Sequence, residues 1–204
     1  MTEDKKHTPM ILLSGTTWQM LSVLLDYPDK RLLNDLDPIA TAARQITEPE
    51  FKRAVQDFLT YLKAHDLLRL QENYTAAFDL ESATTLNLTY HAFGDNEKRA
   101  AALAKLQHLY DRTGWERTSG DLPDYLPLLL EFLFIHPCLE PAAATQIWQC
   151  LNATTHLVAG LEKKAPAYAG LLRPLARLAA AAATGTDQQD TRMTTRPCTQ
   201  GEST

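Results

Sequence analysis

The sequence lacks the features that mark several large classes of protein. It contains no apolar run long enough to span a membrane, and its first residues, Met1 to Pro9, are polar and mixed in charge, unlike a signal peptide. Its net charge of -5 argues against a nucleic-acid-binding surface, which is usually basic. Its three cysteines form no CxxC pair, which leaves little material for a structural zinc site. We therefore expect a cytoplasmic protein without direct contact to membrane or nucleic acid.

The motifs of common catalytic sites are also missing. The sequence has no Gly-rich phosphate loop, no HExxH zinc pair and no GxSxG nucleophile elbow. Its histidines are scattered over different predicted helices, and its paired aspartates lack the further carboxylates that a metal ion would need. The sequence therefore predicts a protein that is not an enzyme and has no metal site.

Apolar residues recur at helical spacing along most of the chain. The clearest stripe consists of Phe51, Val55, Phe58, Leu59 and Leu62. No repeat of fixed period is present, which disfavours a solenoid. The pattern predicts an all-α protein, a single-domain irregular bundle of about eight or nine helices.

The ends of the chain differ from its middle. Residues 184–204 are small and polar without an apolar period, and we expect them to form a disordered tail. Residues 1–14 are expected to be a flexible N-terminus. The helical domain should therefore occupy residues 15–183.

The segment from Asp121 to Phe134 differs from an ordinary amphipathic helix. Beyond Tyr125 it is apolar on all sides, which implies burial all round. We expect Asp124 to be its N-cap and Pro127 to lie in the first turn, where a proline costs no hydrogen bond. The two aspartates place negative charge at the positive end of the helix dipole, a position that could also attract a cationic peptide.

Glu131 is the only ionisable residue in that apolar run. A buried carboxylate requires a partner or a shifted pKa. One interpretation pairs Glu131 inside the protein with an arginine such as Arg99 or Arg173. The other makes it a polar anchor in a peptide-binding groove.

Three segments resemble the signature of the NarJ-type nitrate reductase assembly chaperones. They are YTAAFD at 74–79, LTYHAFGD followed by Lys-Arg at 88–99, and LPDYLP followed by LEF at 122–132. Two positions depart from the family pattern: Asp121 stands where glutamate is usual, and Ala100 where glycine is common. The resemblance covers most of the chain and extends to the wider superfamily that includes the TorD and DmsD chaperones.

This resemblance implies an all-helical, single-domain chaperone of the TorD/NarJ type. Such a protein would bind the N-terminal segment of the apo catalytic (alpha) subunit of a respiratory nitrate reductase, support insertion of the molybdenum cofactor, and delay membrane docking. The cofactor would belong to the client, and the chaperone, expected to be a monomer, would have none. Composition and periodicity alone leave open a helical interaction module or regulator for another partner.

A chaperone of this type is expected to hold a helical client peptide in an apolar groove. We place that groove among the three motif segments. The predicted client contacts are Tyr74, Asp79, His91, Asp121, Asp124, Tyr125 and Glu131. Core packing of the motif aromatics, a turn-capping role for Asp79 and a structural role for His91 are the alternatives.

Overall fold

The computed structural model describes residues 13–116 and 119–185, and these residues form helices joined by short loops. The predicted terminal segments, 1–14 and 184–204, lie almost wholly outside the described residues. In chain order the helices are α1 (Gly15–Leu25), α2 (Lys30–Asn34), α3 (Leu36–Ala43), α4 (Pro49–Lys63), α5 (Leu67–Phe78), a 3-10 turn (Ser82–Thr84), α6 (Leu88–Phe93), α7 (Glu97–Thr113), α8 (Leu126–Ile135), α9 (Pro141–Leu151), α10 (Thr154–Leu161) and α11 (Pro166–Gly185).

The prediction of an all-α fold is confirmed, and no strand occurs within the described ranges. The described residues form more helices than the eight or nine predicted, because two of the expected helices are each divided into two. Pro38 has no N–H to continue α2, so α3 begins after Asp35 with the proline in its first turn. Between α9 and α10, the Thr154 hydroxyl donates to the Leu151 carbonyl at 2.6 Å, a local bond that competes with the regular helical ladder.

The core is formed mainly by three pairs of packed helices. Helix α1 packs along α8, while α11 packs against both α4 and α10. The apolar stripe predicted for α4 is confirmed, because all five of its members are buried. Each such side chain contributes about 1.5 to 3 kcal/mol when it leaves water. None of the helices in the described part of the chain has the length and apolar composition needed to cross a bilayer.

Helix α8 is central but is not buried on every side. Its first turns are buried from Leu126 to Leu130, and Ser22 of α1 donates a hydrogen bond to the Pro127 carbonyl at 2.8 Å. Its last turn reaches the surface, where Phe134 and Ile135 are exposed. The expectation of burial all round is therefore wrong for the carboxyl end of the helix.

Candidate functional site

The amino-terminal ends of α6 and α8 lie side by side although they are far apart in sequence. The Leu88 N–H donates to the Asp124 carbonyl at 3.1 Å, and the Leu126 N–H donates to the Leu86 carbonyl at 2.9 Å. These bonds form an isolated antiparallel bridge between the two segments. The bridge brings the second and third motif segments together and fixes the separation of the two helix starts.

Asp124 is wholly buried in this junction and caps α6. Its Oδ2 accepts hydrogen bonds from the Thr89 N–H at 2.9 Å and from the Thr89 hydroxyl at 2.5 Å. The N-cap of α8 is instead Tyr125, whose side chain makes no capping bond. The expectation that Asp124 caps α8 is therefore corrected, whereas Pro127 does lie in the first turn of α8 as predicted.

Arg99 of α7 reinforces this junction from the other side. Its Nε donates to the Thr89 hydroxyl at 3.4 Å, and its guanidinium lies 5.4 Å from the centre of the Tyr90 ring. It also pairs with Asp95 at 3.6 Å. Because one threonine links the Asp124 carboxylate to the Arg99 side chain, the starts of α6, α7 and α8 are held in one network.

A cleft of about 410 Å³ opens beside the junction. Its walls are the carboxyl end of α5, the segment 85–87 and the segment 120–125, with Tyr27 at one side. We call it the acidic cleft because four of the predicted client contacts, two of them aspartates, line it. These four are Tyr74, Asp79, Asp121 and Tyr125.

Tyrosines form the floor and one wall of the acidic cleft. The buried Tyr74 hydroxyl donates to the Leu25 carbonyl at 3.1 Å and lies 2.9 Å from the Tyr125 hydroxyl, which therefore donates to it. Burial raises the pKa of Tyr74, and burial together with nearby carboxylates raises the pKa of Tyr125 to about 12. The Tyr27 ring meets the Tyr74 ring edge-on, with centroids 5.3 Å apart, and 46% of Tyr27 is exposed.

Carboxylates give the acidic cleft its charge. Asp79 is exposed and is the C-cap residue of α5, the position that the alternative interpretation of Asp79 as a capping residue expects. Asp121 is exposed on the segment that faces it. Asp26 does not line the cleft but precedes the lining residue Tyr27, and its Oδ1 accepts the Tyr27 N–H at 2.8 Å. Burial raises the pKa of the Asp26 carboxyl, and the negative charges of Asp121 and Asp29 add to this effect.

His91 supports a wall of the acidic cleft without lining it. Its Nε2 lies 2.8 Å from the Thr85 carbonyl, and because a carbonyl only accepts, this nitrogen carries the proton and donates. Burial lowers the pKa of His91, an effect that the Thr85 bond opposes. The neutral ring therefore holds Thr85, which lines the cleft, in place.

Glu131 lies outside the acidic cleft and is exposed on α8. Both interpretations of this residue assumed a buried carboxylate, and the structure corrects that assumption. The arginines proposed as internal partners pair elsewhere, Arg173 with Glu162 at 3.5 Å and Arg99 with Asp95. An exposed carboxylate needs no buried partner.

Comparison with known proteins identifies related chains. Residues 47–172 match the family described as nitrate reductase delta subunit. The nitrate reductase molybdenum cofactor assembly chaperone NarJ of Escherichia coli K12 is 33% identical over 162 residues, which cover 78% of this chain and 68% of that protein. The NarJ protein of Bacillus subtilis 168 is 31% identical over 160 residues, 78% of this chain and 85% of that protein.

A solved structure shares the fold. The crystal structure named as a redox enzyme maturation protein from Archaeoglobus fulgidus aligns with a TM-score of 0.57 over 87% of this chain and 98% of that chain, at 20% identity. The sequence matches confirm the resemblance predicted from the three motif segments. Because the relatives that cover most of the chain are assembly proteins, the prediction of a protein that is not an enzyme is also confirmed.

Proposed function

The chain belongs to the nitrate reductase delta subunit family, and from this premise we propose that it is an assembly chaperone for the catalytic subunit of a respiratory nitrate reductase. It binds the N-terminal segment of that subunit before the molybdenum cofactor is in place and supports insertion of the cofactor. By holding that segment, it delays docking of the immature subunit at the membrane. It acts in the cytoplasm as a monomer.

The observation that carries the proposal is the convergence of the motif segments on one cleft. Backbone hydrogen bonds join the starts of α6 and α8, and the hydroxyl contact between Tyr74 and Tyr125 joins α5 to them, so the walls are formed before any client arrives. A cleft of about 410 Å³ is in the range of pockets that enclose a ligand group. A pre-formed site reduces the entropy lost on binding.

The apolar part of the acidic cleft suits a helical peptide. Tyr27 and Leu122 are large apolar side chains that line the cleft and remain partly exposed, at 46% and 41%. Phe78 adds a buried aromatic ring to the same wall. An amphipathic helix could bury its apolar face here, with anchors spaced at i, i+3 and i+4.

The predicted client contacts therefore take two roles in this proposal. Asp79, Asp121 and Tyr125 line the cleft and meet the client directly. Asp124 and His91 hold the cleft walls by hydrogen bonds to the segment 85–89. Two further predicted residues differ from these: Tyr74 supports Tyr125 from the floor, and Glu131 has no part in this cleft.

Calorimetry with a synthetic peptide tests this proposal. The peptide is the N-terminal segment of the nitrate reductase catalytic subunit encoded in the same genome. Leu122→Ser should weaken its binding about fivefold, because partial burial of a leucine contributes roughly 1 kcal/mol. Leu68→Ser is the matched control, since Leu68 is 68% exposed on α5 and does not line the cleft. Equal affinities for both variants would remove the cleft from the proposal.

A further inference from the structure

We propose that Tyr125 is a specificity-determining residue of the acidic cleft, and that its hydroxyl accepts a hydrogen bond from an N–H or O–H group of the client segment. This inference rests on the proposed function and specifies the chemistry of the client at one point of the cleft. The chain of hydrogen bonds that runs from the end of α1 through Tyr74 to Tyr125 supports it.

The end of α1 fixes the direction of the Tyr74 hydroxyl. Leu25 is the last residue of α1, where a backbone carbonyl has no partner within the helix. A carbonyl only accepts hydrogen bonds, so the Tyr74 hydroxyl donates its single proton to the Leu25 carbonyl at 3.1 Å. This bond is buried and joins α5 to α1. The chemistry of the carbonyl therefore determines which way the Tyr74 proton points.

The Tyr74 bond in turn fixes the direction of the Tyr125 hydroxyl. The two hydroxyl oxygens lie 2.9 Å apart, and because Tyr74 has no second proton to give, Tyr125 donates to it. Burial raises the pKa of both tyrosines, so both keep their protons at neutral pH. Since the one proton of Tyr125 is used inside the protein, its hydroxyl can only accept from a group that enters the cleft.

Tyr125 is placed where a client group can use this acceptor. It is half-buried and lines the acidic cleft, whereas Tyr74 is only 3% exposed. A client that covers the Tyr125 hydroxyl displaces the water that would otherwise donate to it. An apolar client group would leave the covered oxygen without a partner, which costs more than one hydrogen bond usually gains. A client group that carries an N–H or O–H restores the bond, so the site favours a donor.

Calorimetry with changes on both molecules tests this inference. The probe is the N-terminal peptide of the client subunit. Each side-chain donor is replaced in turn by an isostere without the proton, such as O-methylserine for serine, and each backbone N–H by an ester oxygen. One replacement should weaken binding about fivefold, a typical loss for a single hydrogen bond. Tyr125→Phe should weaken binding of the unchanged peptide similarly, and the two changes together should weaken it no further, because they remove the same bond.

Tyr27→Phe is the matched control. It removes a hydroxyl from another tyrosine of the same lining, but Tyr27 is 46% exposed and its hydroxyl can keep water as a partner. Its affinity should equal that of the unchanged protein. Thermal melting checks that both variants fold. Tyr125→Phe leaves the bond between Tyr74 and Leu25 in place, so it strands no buried donor.

The possible results separate this inference from the proposed function. If the unchanged peptide binds but no donor replacement weakens it, the inference is overturned while the proposed function stands, and this result needs only the unchanged protein. The same conclusion follows if Tyr125→Phe binds as tightly as Tyr27→Phe, or if the losses from Tyr125→Phe and from the peptide replacement add. If no form of the peptide binds, the proposed binding of the N-terminal segment fails, and the inference with it.

Discussion

Removing the Asp124 side chain should destabilise the protein rather than delete a client contact. The carboxylate is 0% exposed and accepts two hydrogen bonds from Thr89, at 2.9 Å and 2.5 Å. Hydrogen bonds to a charged group contribute roughly 1.5 to 3 kcal/mol each. The desolvation cost of the buried carboxylate offsets part of this sum. We therefore expect Asp124→Ala to lower the free energy of unfolding by about 3 kcal/mol, which is more than the roughly 0.5 to 2 kcal/mol usual for the loss of a helix cap because this carboxylate is buried and accepts two bonds.

Thermal melting measures this loss. For a chain of this size each kcal/mol lowers Tm by about 2 to 4 °C, so Asp124→Ala should melt roughly 10 °C below the unchanged protein. Thr89→Val keeps the shape of the threonine and removes one of the two bonds, so its effect should be smaller. In the double variant the two losses should not add, because both substitutions remove the same bond.

The exposed Asp79 provides the opposing control. Asp79→Ala should change stability by less than about 0.5 kcal/mol, as expected for a surface substitution, yet it should weaken peptide binding. If Asp124→Ala melts no lower than Asp79→Ala, the buried Asp124 carboxylate does not stabilise the junction of α6 and α8. A variant of Asp124 that keeps its stability but loses the peptide would show that this carboxylate contacts the client after all.

Three further substitutions test other parts of the account. A β-carbon at Gly160 would lie 2.8 Å from the Thr84 methyl, so Gly160→Ala should cost about 1 to 3 kcal/mol by denaturant unfolding, and adding Thr84→Ser should restore most of it. Burial would raise the pKa of Glu48, but hydrogen bonds, including one from the Thr17 hydroxyl at 2.8 Å, leave it lowered. The stability that Glu48 contributes is therefore present above the ordinary carboxyl pKa and is lost as pH falls through the lowered pKa of the folded protein. Glu48→Gln should lower Tm at neutral pH and make Tm depend less on pH in the acid range. The pKa of Asp26 is raised, so the charged carboxylate lowers stability as pH rises through the pKa of the folded protein. Asp26→Asn should therefore raise Tm at neutral pH, and a lower Tm would contradict the raised pKa.

Much of the fold follows from apolar periodicity because burial of one helix face is a local property of the sequence. The stripe from Phe51 to Leu62 is buried throughout for this reason. The number of helices was harder to predict, since a proline such as Pro38 either interrupts a helix or begins one. Helix α8 shows another limit: in a helix that is apolar all round, periodicity does not show which residues, such as Glu131, face solvent.

The motifs predicted which segments come together around the candidate site, but not the role of each residue. The motif segments contain both Tyr74 and Tyr125, and the fold brings their hydroxyls into contact. Asp124 caps α6 through Thr89, which lies 35 residues earlier, a pairing that no local pattern contains. Tyr27 lines the cleft from the end of α1, which packs along α8, and its sequence context indicates no more than the end of a helix.

The central claim is that this protein binds the immature catalytic subunit and performs no chemistry of its own. Co-purification with that subunit, prepared both without and with its molybdenum cofactor, tests it most directly. We expect strong recovery of the cofactor-free form and little recovery of the loaded form. Leu122→Ser should recover less of the cofactor-free form, whereas Leu68→Ser should recover as much as the unchanged protein. Equal recovery of both forms, or of neither, would contradict it.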